Sequence, residues 1–295
     1  MKTILFMAIG AATMMLAGCS NDENESMDNW NGEIRLGSGL VVQQTRADGG
    51  TVPDTQIASG QTVKVFVTKT QSASASTYSG YTQDMTADGN GGLSGTSMYY
   101  PEDGDGVSIR AFHPAGAGTT FTVRADQSGN GGKDYFESDL LYSAAKDYPR
   151  QKEVHSLSFD HQLCKLTYEL KVGDGSPALD GATVQWLGMT TACHFDTSTG
   201  AVSAVTAGSE NAQTITPHAT YGAVVVPQTV TRGTQMLQVT LAGGGTLVYT
   251  PDADQVLEGG KVYNYTITVN LTELKVSSSV NAWQPVAKTG TAVMD

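Results

Sequence analysis

The sequence has few cysteines, few cations and no long apolar segment beyond its first residues, and each shortage excludes a class of protein. Its 295 residues contain 3 cysteines, too few for a disulfide-stapled scaffold. The 17 Lys and Arg residues are outnumbered by 29 Asp and Glu, and the net charge of −12 opposes binding to nucleic acid or to an anionic membrane. No segment after the amino terminus is long and apolar enough to span a bilayer. The composition therefore favours a body held together by apolar burial.

Patterns that carry catalytic chemistry are also missing. The histidines are far apart in the sequence and belong to no HExxH helix or GxSxG turn. No spacing of carboxylates suggests an acid and base pair, so a hydrolase is the weakest interpretation. We predict no catalytic residues, no metal site and no cofactor.

The two internal cysteines raise a separate question. Cys164, Cys193, His161 and His194 have ligand types suited to zinc. Neighbouring residues on a strand point to opposite faces, so Cys193 and His194 cannot converge, and His161 and Cys164 diverge in the same way. Cys164 and Cys193 can still meet in one core, either as buried free thiols or as a disulfide.

Short apolar alternations bounded by Gly, Pro or Asp are abundant, and 34 residues are glycine. About a dozen such segments predict strands, among them 61–68, 107–112, one long strand over 157–170, and 261–269, the strongest. No segment predicts a convincing helix. The sequence therefore predicts an all-β fold of two tandem β-sandwich domains, over residues 32–155 and 156–283.

The first residues have the form of a secretory signal. A lysine, a short apolar run and small residues end at Leu16-Ala17-Gly18-Cys19, which resembles a bacterial lipobox. The resemblance implies that residues 1–18 are removed and that Cys19 is lipidated, whereas an ordinary secretory signal would make Cys19 incidental. Residues 19–31 are acidic and polar, and they predict a flexible tether.

A first strand is predicted directly after this tether. Ile34, Leu36, Leu40 and Val42 fall on one face at period two, so the segment 33–42 is expected to cover a core. The polar, glycine-closed loop that follows contains Arg46, in an accessible setting that proteases prefer.

A cluster of tyrosines suggests an alternative role in ligand binding. Tyr78, Tyr81, Tyr99 and Tyr100, if exposed, could stack on sugars, although strand tyrosines are common in proteins that bind no sugar. The alternative is a non-polymerising surface lipoprotein that binds glycans or host ligands.

Four elements of the sequence, taken in order, resemble the Bacteroidales fimbrillin family, the subunits of type V pili. They are the lipobox at Cys19, the segment from Glu33-Ile34-Arg35-Leu36 to Thr45-Arg46-Ala47, the pair 139–142 and 159–163, and the segment 260–267 ending in 277–283. The resemblance implies two transthyretin-like β-sandwich domains and assembly by strand exchange. It also implies a precursor on the outside of the outer membrane that is later part of a fimbria.

The same resemblance implies a processing step and a set of partners. An arginine-specific surface protease would cut between Arg46 and Ala47 and remove the first strand, and a strand from another fimbrial subunit would replace it. The polymer could contain one kind of subunit or several. The tail 284–295 is the candidate donor, but its apolar alternation is weak, so an anchor or tip position is also open.

Overall fold

The fold follows from short strands whose side chains alternate between a core and the surface. The structure is a computed structural model that describes residues 30–40, 56–70, 78–175, 177–205 and 212–283. Strand Val107–His113 illustrates the rule, since Val107, Ile109 and Ala111 are buried and the residues between them are half-buried. The regular structure of the described residues is almost entirely β-strand, which confirms the all-β prediction.

The described residues of the first half form nine strands and one short helix. In chain order they are β1 Glu33–Leu40, β2 Thr62–Lys69, β3 Tyr81–Ala87, β4 Leu93–Ser94, β5 Met98–Tyr99, β6 Val107–His113, β7 Thr120–Thr122, a 3₁₀ turn Asn130–Gly132, α1 Lys133–Ser138, β8 Leu141–Tyr148 and β9 Val154–His161. All of these strands except β7 form one sheet in the order β4-β3-β2-β6-β8-β9-β1-β5. The first strand of the chain therefore lies one position from an edge of this sheet.

In the second half, the part of the chain that the structure describes contributes twelve strands. They are β10 Cys164–Val172, β11 Thr183–Thr190, β12 Ala192–Phe195, β13 Val202–Ala204, β14 Ala212–Ile215, β15 Ala223–Val225, β16 Gln228–Val230, β17 Leu237–Thr240, β18 Thr246–Tyr249, β19 Gln255–Leu257, β20 Lys261–Val269 and β21 Leu274–Ala282. Two four-stranded sheets, β15-β10-β20-β21 and β14-β11-β17-β18, account for most of them. Buried residues of both sheets, including Trp186 and Tyr265 with ring centroids 4.8 Å apart, belong to one hydrophobic core.

The halves are connected by shared pairing and packing. Strand β7 of the first half pairs with β12 of the second, and Phe112 contacts Phe195 edge-to-face with ring centroids 5.3 Å apart. The described residues from Gly32 onward form one compact unit. The proposed boundary at residue 155 falls within β9, and the division into two transthyretin-like domains stays a prediction.

Two local predictions were wrong. The single strand expected over residues 157–170 is two strands in different sheets, because the chain turns at Gln162 and Leu163 between β9 and β10. The loop expected at residues 129–132 leads into helix α1, whose six residues are too few for a helical period to be visible in the sequence. Within the described ranges, no helix is long and apolar enough to cross a membrane.

Candidate functional site

Strand β1 lies between two very unequal neighbours. On one side it runs parallel to β9 through six consecutive register pairs, from Arg35 to Leu40. On the other side its first two residues pair with the two-residue strand β5. The hydrogen bonds that hold β1 in the sheet therefore come mainly from β9.

A glycine loop covers the middle of β1 on the side of β5. The Ser38 amide donates a hydrogen bond to the Gly91 carbonyl at 2.7 Å, and Gly37 forms an isolated bridge with Gly92. A Cβ atom on Gly37 would lie 3.0 Å from the Gly91 oxygen. The loop can approach β1 this closely because residue 37 has no side chain.

The inward face of β1 covers part of the core. Ile34 and Leu36 are 4% and 5% exposed, and Leu40 is half-buried. In the same register Leu36 is opposite His155, and Leu40 is opposite Phe159. Without β1, a row of backbone N–H and C=O groups on β9 would lose its partners, and apolar side chains would face water. The arrangement is a groove that an extended strand fills.

A buried polar cluster lies where β9 ends, and the sequence did not indicate it. His161 Nδ1 and Asp139 Oδ1 are 2.9 Å apart, and both side chains are buried. The His161 ring stacks on Trp283 with centroids 3.7 Å apart. The Trp283 amide donates to the Gly260 carbonyl at 2.6 Å. These contacts fix the point from which the tail 284–295 begins.

Cys164 and Cys193 are both buried in the hydrophobic core as free thiols, so the disulfide alternative is not formed in the structure. The Cys164 thiol donates to the Val225 carbonyl at 3.1 Å. Burial raises the pKa of the Cys193 thiol to about 11 and also raises the pKa of the Cys164 thiol. Both groups are therefore protonated and unreactive at neutral pH.

This burial predicts the outcome of a thiol titration. In a chain that begins at Ser20, we expect no thiol to react with a colorimetric thiol reagent while the protein is folded. Two should react after unfolding in guanidinium chloride without reductant, because only unfolding exposes Cys164 and Cys193. Finding no thiol in the unfolded, unreduced chain would instead demonstrate a disulfide.

The tyrosine cluster does not form an exposed platform. Tyr100 is buried, which corrects the expectation that all four rings are exposed, and Tyr78, Tyr81 and Tyr99 are half-buried. The Tyr78 hydroxyl donates to the Tyr99 carbonyl at 2.9 Å, and the Tyr100 hydroxyl donates to the Pro149 carbonyl at 2.9 Å. The hydroxyls of Tyr78 and Tyr100 are therefore engaged in hydrogen bonds within the protein.

Other candidate chemistry is sparse in the described part of the chain. No group of three or more His, Cys, Asp or Glu side chains in these residues is arranged to hold a metal ion. Cys193 is buried and His194 is exposed, so the two neighbours do point apart. A cleft of about 620 Å³ beside β7 contains Glu137, which pairs with Arg124 at 2.9 Å and with Lys133 at 3.5 Å. Its charged groups are thus engaged with one another.

Four of the predicted site residues lie outside the described residues. They are Cys19, Arg46, Ala47 and Val42. The remaining members of the first strand, Ile34, Leu36 and Leu40, share the inward face of β1.

Comparison with known proteins gives one family match and one related curated protein. The family model described as fimbrillin-like matches residues 45–283. A protein of Bacteroides uniformis named as a candidate fimbrium subunit, Fim1C, is 26% identical over 294 residues, which cover 93% of this chain and 93% of the relative.

Two solved structures with a similar fold come from species of Bacteroides. The crystal structure of a candidate cell adhesion protein from Bacteroides uniformis has a TM-score of 0.62 at 18% identity, covering 87% of this chain and 100% of that chain. A second, from Bacteroides ovatus, has a TM-score of 0.59 at 18% identity, covering 86% of this chain and 98% of that chain. At these identities the likeness establishes the fold.

Proposed function

The chain belongs to the fimbrillin-like family, and from this premise we propose that it is a structural subunit of a cell-surface fimbria that supports adhesion. The relative named as a candidate fimbrium subunit, similar over nearly its whole length, supports this assignment. The work of such a subunit is the pairing of strands and the burial of apolar surface, so it has no need of catalytic residues.

The subunit is exported as a lipoprotein precursor in this proposal. Lipid on Cys19 attaches the precursor to the outer membrane, and the acidic residues 20–31 separate the anchor from the folded body. The support is the sequence Leu16-Ala17-Gly18-Cys19 and the polar composition that follows it. The anionic charge of the chain suits a soluble body outside the cell.

Assembly begins when an arginine-specific surface protease cuts after Arg46. The observation that carries this step is the placement of β1, which is paired with β9 from Arg35 to Leu40 and covers apolar side chains. Its loss opens a groove, and a strand from another fimbrial subunit enters by β-augmentation. Arg35 is a poor alternative cleavage site because its backbone lies within the paired strand.

The tail 284–295 is the donor in this scheme. Its starting point is held by the buried ring of Trp283, so the tail begins at a fixed place on the body. The weak apolar alternation of the tail favours a second candidate function, that of an anchor or tip subunit that accepts a strand without donating one.

Cleavage at Arg46 can be tested with matched variants. Treatment with the arginine-specific protease should produce a chain with Ala47 at its amino terminus, identified by mass spectrometry, followed by SDS-resistant oligomers. The R46Q variant should give neither product. R232Q is the control, because Arg232 is also exposed in a loop and lies far from β1 in the sequence. The R232Q variant should give the same cleavage product and oligomers as the unmodified protein.

Two results would contradict the proposal. One is a new amino terminus at Ala47 in chains that remain monomeric at high concentration, which would favour the non-polymerising surface lipoprotein. The other is oligomer formation by R46Q at the rate of the unmodified protein, which would make processing at Arg46 irrelevant.

A further inference from the structure

The middle of β1 is poorly suited to the groove that the strand fills. Between Leu36 and Leu40 the sequence is Gly37-Ser38-Gly39, and Ser38 points inward opposite Leu157. Its side chain is buried, at 5% exposure, and its hydroxyl has no hydrogen-bond partner among the described residues. A buried hydroxyl that loses its water without gaining a partner destabilises the state in which it is buried.

The two glycines beside Ser38 have different structural requirements. A Cβ atom on Gly37 would lie 3.0 Å from the backbone oxygen of Gly91, so residue 37 must stay small while that loop is in place. A Cβ atom on Gly39 would meet only the Ser156 hydroxyl, at 3.8 Å, which is ordinary contact. Gly39 also has no left-handed φ that would require glycine. It therefore weakens the strand without a steric reason.

Strand β2 of the same sheet has branched apolar residues at the inward positions that can be compared with those of β1. In β2 the successive inward residues are Val63, Val65 and Val67, and each is at most 1% exposed. Branched apolar side chains suit a pleated, buried surface because they pack well and leave no polar atom without a partner. Strand β1 has a serine hydroxyl at its central inward position and a glycine next to it.

We propose that β1 is a weakened strand in its own groove, and that the strand which replaces it carries an apolar residue in the place of Ser38 and a residue other than glycine in the place of Gly39. This inference rests on the proposed function, since it assumes that β1 is exchanged for a strand of another subunit. The incoming strand would leave no unpaired hydroxyl opposite Leu157, so exchange would be favourable even where the backbone pairing with β9 is unchanged. At the place of Gly37 the incoming residue stays glycine or displaces the loop at Gly91.

The first arm of the test uses the uncut chain. S38A removes only the hydroxyl, and we expect it to raise Tm by about 2–4 °C. G39V should also raise Tm, because valine restricts the unfolded chain and favours a strand. G37V is the matched control in the same strand, and it should lower Tm because its side chain meets the Gly91 carbonyl.

The second arm measures how long the cut segment stays bound. After cleavage at Arg46, the amino-terminal segment should dissociate about tenfold more slowly in S38A than in the unmodified protein. Oligomers should appear correspondingly later, and a synthetic peptide of residues 33–42 carrying S38A and G39V should displace the natural segment. Equal or faster dissociation of the S38A segment would overturn the proposal, as would an unchanged or lower Tm of uncut S38A. If Arg46 is not cut, the proposed function fails while the Tm measurements still decide whether β1 is weakened.

Discussion

A chain that begins at Ala47 is expected to unfold at a temperature roughly 10–20 °C lower than one that begins at Ser20. The lower temperature results from the loss of β1. Without this strand the protein loses two buried apolar side chains and the pairing with β9 at six positions. Burial of Ile34 and Leu36 alone contributes about 3–6 kcal/mol. A whole domain is stable by only about 5–15 kcal/mol, so the truncated chain should be close to unfolding.

Adding the missing strand as a peptide should reverse this loss. A synthetic peptide of residues 33–42 at a hundred times its Kd should restore about 2.7 kcal/mol to the truncated chain, measured as a rise in Tm. The control peptide carries I34D and L36D, which keep the backbone pairing but place carboxylates in an apolar groove. Equal stability of the two chains without peptide would mean that β1 is dispensable, and groove opening could not then drive assembly.

Strands with a local apolar pattern were predictable from the sequence. The alternation in 261–269 predicted β20 with the bounds that the structure has, and the alternation around Ile34 and Leu36 predicted β1. Both predictions succeeded because a residue on a half-buried strand is apolar at every second position whatever its neighbours are. The pattern therefore locates a strand and its inward face.

The partners of those strands were not predictable. The parallel pairing of β1 with β9 joins residues more than a hundred positions apart, and no local pattern specifies it. The same limit applies to the close approach of Gly91 to Gly37 and to the unpaired hydroxyl of Ser38. Short elements such as β12 and α1 were missed because they contain less than one clear period. The structure of the site therefore depends on contacts between residues that are far apart in the sequence and meet only in the folded chain.

The second large expected effect is a loss of stability in W186A, because the core that contains Trp186 includes residues of both halves. Trp186 is fully buried in β11 and packs against Tyr265, and truncation of such a side chain costs about 3–5 kcal/mol. Phe112 and Tyr142 of the first half belong to the same core, and β7 pairs with β12 across the halves. We therefore expect the loss to be felt throughout the body, with one cooperative transition in denaturant.

Hydrogen exchange can separate a shared loss from a local one. If the halves unfold together, amides of β2 and β6 should exchange roughly 10²–10³-fold faster in W186A, as should those of β10 and β20. V256A is the control, because Val256 is 56% exposed and its truncation should change stability by less than about 0.5 kcal/mol. Faster exchange confined to β10–β21 would show that each half unfolds by itself. In that case loss of β1 would destabilise the first half alone and leave the second half, which precedes the tail 284–295, fully folded. If the halves unfold cooperatively, the stability of the second half depends on whether the groove is filled.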